Sequence, residues 1–228
     1  MSKNGMKPTI FVVDDDPGVG GSLRWLIESV GLHVEVHDSA SAFLESYEES
    51  KPGCLVADVR MPGMSGLALL EQLRNDGVTI PVILISGHGD VSMAVQAMKS
   101  GAFDFIEKPF SDDLLLDRIQ KAVQLDRETR RNRAQCRKAA TQISSLTRRE
   151  REVLDLVAAG LLNKEIAAEL GLSIKTVETH RGHIMEKMGA RTVADLIRTV
   201  LPVYEGASRS KIQRARHKAA SDEQGRIK

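Results

Sequence analysis

Cys54-Leu55-Val56-Ala57-Asp58-Val59-Arg60-Met61-Pro62-Gly63 is the stretch that decides the fold. Four small or apolar residues lead to a carboxylate and a Met-Pro-Gly turn follows, the pattern of a buried strand that carries an acid to its carboxyl-terminal tip. Chemistry in open parallel sheets collects beyond those tips, so the neighbouring strands matter next. Upstream, Ile10-Phe11-Val12-Val13 is a short apolar run that ends on Asp14-Asp15-Asp16 and Pro17. Leu23, Leu26, Ile27 and Val30 then recur at helical spacing up to Gly31, a helix stop, which completes one strand–helix unit. The unit repeats. Val34 and Val36 precede a helix through Ala42, Phe43, Leu44 and Tyr47, and the Asp58 strand precedes one through Leu67, Leu69, Leu70 and Leu73. Val82 to Ile85 precede helix Val91 to Lys99, and Phe105-Ile106 precede a helix that turns Leu114, Leu115, Ile119, Ala122 and Val123 inward. Five strands alternating with five helices predict an α/β fold, a doubly wound five-stranded parallel sheet.

The strand tips carry Asp14 and Asp15, Asp58, Ser86 and Lys108 in turn. Three acids at one mouth need a cation, and an all-oxygen set of few ligands with room for water suits Mg²⁺. A carboxylate nucleophile, a divalent metal, a hydroxyl and an ammonium are the parts that move a phosphoryl group and steady its oxygens. Any one of these residues alone reads equally well as a solvated strand end. All of them on the right strands point to chemistry.

The chain of 228 residues has room for two domains, each with its own core. Its net charge of +1 conceals an asymmetry: residues 1–126 carry 10 Lys and Arg against 19 Asp and Glu, and residues 127–228 carry 22 against 12. An acidic front suits a module that holds a cation or meets a basic partner, and a basic rear suits a polyanion such as nucleic acid, though charge alone does not choose between that and a solvated surface. No apolar run approaches bilayer length and the first residues lack an apolar signal core, so no membrane association is expected and the cytoplasm is the expected compartment. Cys54 and Cys136 show no metal-ligand spacing and read as free thiols.

From Leu125 to Gln142 apolar residues thin out with no Gly or Pro, which predicts a solvated helical linker over 127–142. Thr147 followed by Glu150 is a capping box that opens a helix with Val153, Leu154 and Val157 inward. Asn163 is expected to cap a short helix on Ile166, Ala167 and Leu170. Ser173, after the Gly171 turn, is expected to cap a third helix with Ile174, Val177, Ile184 and Met188 at core spacing. Two short helices joined by a tight Gly turn form a helix-turn-helix whose second helix presents Lys175, Thr176, Glu178, Thr179, Arg181 and Gly182 outward. A helix from Val193 to Val200 closes this small all-α domain, expected over 143–204. Residues 205–228 hold seven Lys and Arg, three acids and almost nothing apolar, and are expected to form a disordered basic tail.

Val13-Asp14-Asp15, Asp58 with Met61-Pro62-Gly63 and Gly66, Ser86-Gly87-His88-Gly89-Asp90, Gly101-Ala102 and Lys108-Pro109-Phe110 together resemble a response-regulator receiver domain, flavodoxin-like in fold, of the FixJ type. Leu146-Thr147-Arg148-Arg149-Glu150, Asn163-Lys164-Glu165-Ile166-Ala167 and Ser173 to His180 resemble the LuxR-type DNA-binding domain. The order of the two is that of the NarL/FixJ family. The resemblance implies that Asp58 is the phosphoacceptor for a sensor histidine kinase, and that Asp14, Asp15, Asp58 and the Arg60 backbone carbonyl hold Mg²⁺. It implies that Lys108 pairs with the phosphoryl group, Ser86 hydrogen-bonds it, Phe105 switches, and a cis peptide precedes Pro109. It further implies a non-enzymatic transcription regulator that dimerises on phosphorylation, binds promoter DNA and works with RNA polymerase. Lys175 and Arg181 would meet phosphates, and Glu178, Thr179 and Gly182 would sit at base-reading positions. Glu178 stands where relatives carry Lys, and its carboxylate would either accept from cytosine N4 or orient Arg181. A haloacid-dehalogenase phosphatase, which also ends a strand on Asp-x-Asp, is the rival reading, but it leaves Asp58-Met-Pro without a role.

Overall fold

The computed structural model describes residues 7–87 and 91–207. The chain divides between Arg130 and Arg131 into two compact units. In the first, β1 (Thr9–Val13), β2 (His33–His37), β3 (Gly53–Asp58), β4 (Val82–Ser86) and β5 (Asp104–Glu107) form one sheet in the order β2-β1-β3-β4-β5. Every pairing is parallel. The helices between them are α1 (Pro17–Ser29), α2 (Ala40–Ser46), α3 (Gly66–Asn75) and α4 (Val91–Lys99), and α5 (Asp112–Ser144) follows β5.

The period-two alternation of the strands sorts their side chains into two cores. Phe11, Val13, Leu55, Ala57, Val82 and Leu84 pack with Phe43, Leu69, Leu70, Leu73 and Ala97 on one face. Ile10, Val12, Cys54, Val56, Ile83 and Ile85 pack with Leu23, Ile27, Leu115, Ile119 and Ala122 on the other. Because helices cover both faces, β1, β3 and β4 are buried throughout and read as unbroken apolar runs. Each buried Leu or Ile stabilises by about 1.5–3 kcal/mol. Leu114, expected to face inward, is 38% exposed; it lies one position off the Leu115–Ile119–Ala122 stripe.

The apolar stripe of α5 continues into a charge. Asp126, four residues beyond Ala122, is buried and accepts from the Gly53 amide at 2.9 Å and from Arg130 Nε at 2.7 Å. Arg130 also donates to the Glu49 and Lys51 carbonyls at 2.6 and 2.7 Å. These bonds fasten α5 to the loop that leads into β3, beyond the last apolar contacts. A buried carboxylate is tolerated there because the guanidinium and an amide satisfy it.

The second unit contains the end of α5 with α6 (Arg148–Ala158), α7 (Asn163–Leu170), α8 (Ile174–Met188) and α9 (Val193–Ala207). Val153, Leu154, Val157, Ile166, Val177, Ile184, Met188, Leu196 and Val200 form its core. Thr147 and Glu150 make the expected capping box. Three expectations need correction. Ile174 is 47% exposed, because the first residue of α8 precedes the turn that brings Val177 inward. Leu162, not Asn163, holds the cap position of α7, and the helix end is served by the Glu165 carboxylate on the Leu162 amide at 2.7 Å. Helix α9 runs past Val200 and through Pro202, with the Tyr204 hydroxyl donating to Asp155 at 2.6 Å. Both cysteines are free, Cys54 buried and Cys136 half-buried. The tail beyond residue 207, and residues 88–90 of the Ser86 motif, lie outside the described residues.

Candidate functional site

The carboxyl ends of β1, β3, β4 and β5 open on one mouth. Of the three acids after β1, Asp14 is buried and Asp15 exposed. Asp16 is occupied as the cap of α1, accepting from Gly18 and Val19 amides at 2.8 and 3.4 Å ahead of Pro17 at the first turn. Asp58 ends β3 with its side chain 11% exposed. One carboxylate oxygen accepts from the Arg60 amide at 2.6 Å, and the other from Lys108 Nζ at 2.7 Å. The same ammonium reaches Asp14 Oδ2 at 3.3 Å. Lys108 is aimed by its backbone: its amide donates to the Ser86 carbonyl at 2.8 Å, and its peptide bond to Pro109 is cis.

Ser86 is buried one residue beyond Ile85, the β4 partner of Asp58, and its hydroxyl approaches Met93 Sδ at 4.0 Å. Phe105 is half-buried on β5 and packs against the core that contains Leu84. Gly66 is fixed by close approach: a Cβ there would stand 2.2 Å from the Asp58 carbonyl oxygen. No larger residue fits without moving the strand tip that presents the acid.

Among the described residues, charge at this mouth is unbalanced, with Asp14, Asp15 and Asp58 set against one ammonium. Burial raises the Asp14 pKa above its usual range and the neighbouring Asp58 charge adds to the rise, against the Asp16 amide and Lys108, which lower it. Burial pulls Lys108 down, but its hydrogen bond to Asp58 and the two carboxylates more than offset that and hold it raised. An excess of two negative charges on hard oxygens suits a divalent cation. Among the described residues no three His, Cys, Asp or Glu side chains close into a metal cage. Hard oxygens in small number, with room left for water, are the donors that Mg²⁺ takes. The donor set fits that ion.

In the second unit, α8 carries Lys175, Glu178, Thr179 and Gly182, all exposed, at positions i, i+3, i+4 and i+7 of one face. The Thr176 and Ser173 hydroxyls share a 2.8 Å hydrogen bond at the start of the helix, and Thr179 donates to the Lys175 carbonyl at 3.0 Å. Arg181 does not project freely: it is half-buried and donates to Asn163 Oδ1 at 2.8 Å. Sequence reasoning gave Asn163 a cap role and missed this bond; its signal was a polar amide in a helix whose capping Glu165 already supplied.

Residues 10–120 match the family described as response regulator receiver domain, and residues 144–200 the family described as bacterial regulatory proteins, luxR family. The chain is 43% identical over 200 residues to the transcriptional regulatory protein TdiR of Thauera aromatica, covering 88% of each. It is 40% identical over 195 residues to the transcriptional regulatory protein FixJ of Bradyrhizobium diazoefficiens, covering 86% of this chain and 95% of that one. The solved structure of the response regulator StyR is similar at a TM-score of 0.74 and 48% identity, covering 85% of this chain and 98% of that one. With a carboxylate mouth on a receiver sheet, a helix-turn-helix later in the sequence and relatives that match both halves, the chain belongs to the two-component response regulators of the NarL/FixJ family: a transcriptional regulator with a receiver domain and a LuxR-type DNA-binding domain, not an enzyme.

Proposed function

We propose that Asp58 is the phosphoacceptor of this regulator, that a sensor histidine kinase is its donor, and that phosphorylation drives homodimerisation and promoter binding in the cytoplasm. The observation that carries this reading is the Lys108 ammonium held 2.7 Å from one Asp58 oxygen and 3.3 Å from Asp14. An Asp58 oxygen attacks the phosphorus of a phosphohistidine; the P–O bond forms as the P–N bond breaks, and the electron pair leaves with the imidazole, which takes up a proton. Lys108 sits where it meets the oxygens of the new group, and the Ser86 hydroxyl lies on the adjoining strand tip. Asp14, Asp15, Asp58 and the Arg60 carbonyl would hold Mg²⁺, whose positive charge would offset that of the phosphoryl oxygens. A groove along α1 and the Lys108–Phe110 loop, with Trp25 74% exposed on it, gives the donor protein an apolar anchor beside the site.

Asp15→Ala removes a ligand and not the nucleophile. Magnesium affinity is expected to fall and labelling to slow while Asp58 stays competent. Unchanged Mg²⁺ affinity by titration would refute the ligand assignment.

The phosphoryl group adds roughly −1.5 to −2 charge at Asp58, within reach of the β4 and β5 tips. The face those strands control includes α4, where Val91, Val95 and Met98 are 82, 46 and 50% exposed and follow one another at i, i+4 and i+7. A second copy of the chain is the occupant that a symmetric DNA reader needs, since paired recognition helices match half-sites about one helical turn apart. Phosphorylated chain is expected to sediment as a dimer and protect its promoter, the regulated step ahead of RNA polymerase. Val95→Asp should take label normally yet remain monomeric. A labelled Val95→Asp dimer would move the interface off α4.

A further inference from the structure

Asn163 opens α7, yet its side chain does no work for that helix. Leu162 stands at the cap position, and the reciprocal bond that secures the helix start comes from Glu165. Its amide turns instead toward α8 and meets Arg181 Nη1 at 2.8 Å. Arginine offers only donors, so the atom that faces it must be the amide oxygen. The pairing also bears on Glu178. That carboxylate lies three residues before Arg181, but the guanidinium donates to Asn163 across the helix-turn-helix, and Glu178 remains exposed on the outward face.

We propose that Asn163 is a positioning residue for DNA binding: it holds the Arg181 guanidinium at the edge of α8, so that the phosphate contact is made at one fixed register and Glu178 is left available to base edges. This rests on the reading of Arg181 as a phosphate contact. A guanidinium has five N–H donors and Asn163 takes one, which leaves the rest for a phosphate. A long side chain restrained before binding loses less rotamer freedom when it binds. Helix physics alone does not call for an amide here, because any good helix former would serve the first turn of α7.

Phosphate contacts are independent of sequence, so the test uses the full chain and a mixed-sequence duplex, with affinity followed from 50 to 200 mM salt. One phosphate contact changes the affinity ratio across that range by about threefold. Arg181→Ala is expected to flatten the salt dependence by about that factor, Asn163→Ala to flatten it in the same direction, and the double variant to match Arg181→Ala. Arg181→Gln keeps a donor for Asn163 but no charge; in that background Asn163→Ala should leave the salt dependence unchanged. A melt of each variant separates loss of contact from loss of fold. If Arg181→Ala flattens the curve and Asn163→Ala does not, or if the double variant adds the two effects, the positioning role is overturned while the phosphate contact stands. If Arg181→Ala leaves the curve untouched, the phosphate reading falls and the proposal falls with it.

Discussion

Asp58→Asn is expected to take stable phosphoryl labelling to background. An amide oxygen is neither a useful nucleophile nor an anion, so the variant loses the attacking atom and one negative ligand for a cation together. The fold should survive the change. Asparagine is nearly isosteric with aspartate, and its carbonyl oxygen still accepts from the Arg60 amide that meets Asp58 at 2.6 Å. Removing the charge also relieves Asp14, whose carboxyl is raised in part by its neighbour. The expected pattern is thus an intact or slightly higher melting temperature with no acid-stable, base-labile label. Dimerisation and promoter protection should then ignore the phosphodonor. Label that persisted on the asparagine variant would place the acceptor elsewhere, and a lost melt would leave the chemistry unjudged until Asp58→Glu was compared.

The parts of this molecule that were legible in the sequence are those where one residue type answers to one physical demand. β1, β3 and β4 were readable because a strand buried on both faces must be apolar throughout, and the acids at their ends stood out for that reason. Gly66 was visible as part of a motif, but its cause, a carbonyl 2.2 Å from where a Cβ would lie, required coordinates. Side-chain choices between competing partners were not legible. Asn163 satisfies the sequence rule for a cap and does something else, since a rule about local order cannot see a guanidinium 18 residues away. Asp126 is similar. It falls on the buried stripe of α5, four residues past Ala122, but in sequence it looks like one more charge at the start of a polar linker. The end of α9 was not legible either: the helix runs on beyond Val200 with Pro202 inside it.

Glu150→Ala is expected to cost the DNA-binding unit about 2 kcal/mol at neutral pH, the sum of a lost capping box and an ammonium left without its partner. Glu150 is buried, its side chain 4% exposed, and it joins two elements. One oxygen accepts from the Thr147 amide at 2.8 Å, and both accept from Lys187 of α8 at 2.7 and 2.9 Å. The Lys187 hydrogen bond first, then the Thr147 amide, hold the carboxyl pKa down at about 2 against the penalty of burial. A carboxyl depressed from 4.5 stores up to about 3 kcal/mol of pH-linked stability, and the 38% exposure of Lys187 reduces that through solvent screening. The sign follows from the folded pKa lying below the unfolded one. This stability is complete above the unfolded value near 4.5 and is lost as pH falls through about 2. Wild-type stability of the second unit should therefore decline between those limits, and Glu150→Gln, which keeps an acceptor but cannot titrate, should lack that component. The two units are separable by probe. Trp25 is the single tryptophan and lies in the first unit, so its fluorescence follows the receiver while circular dichroism also follows the helices of the second. Urea unfolding of wild type and Glu150→Gln, compared at pH 7 and again at pH 3, should show the Glu150 difference in circular dichroism and leave the tryptophan transition the same in the two chains at each pH. A tryptophan midpoint that shifted equally would mean that the two units unfold as one, and the assignment of this stability to the α6–α8 tie alone would fail.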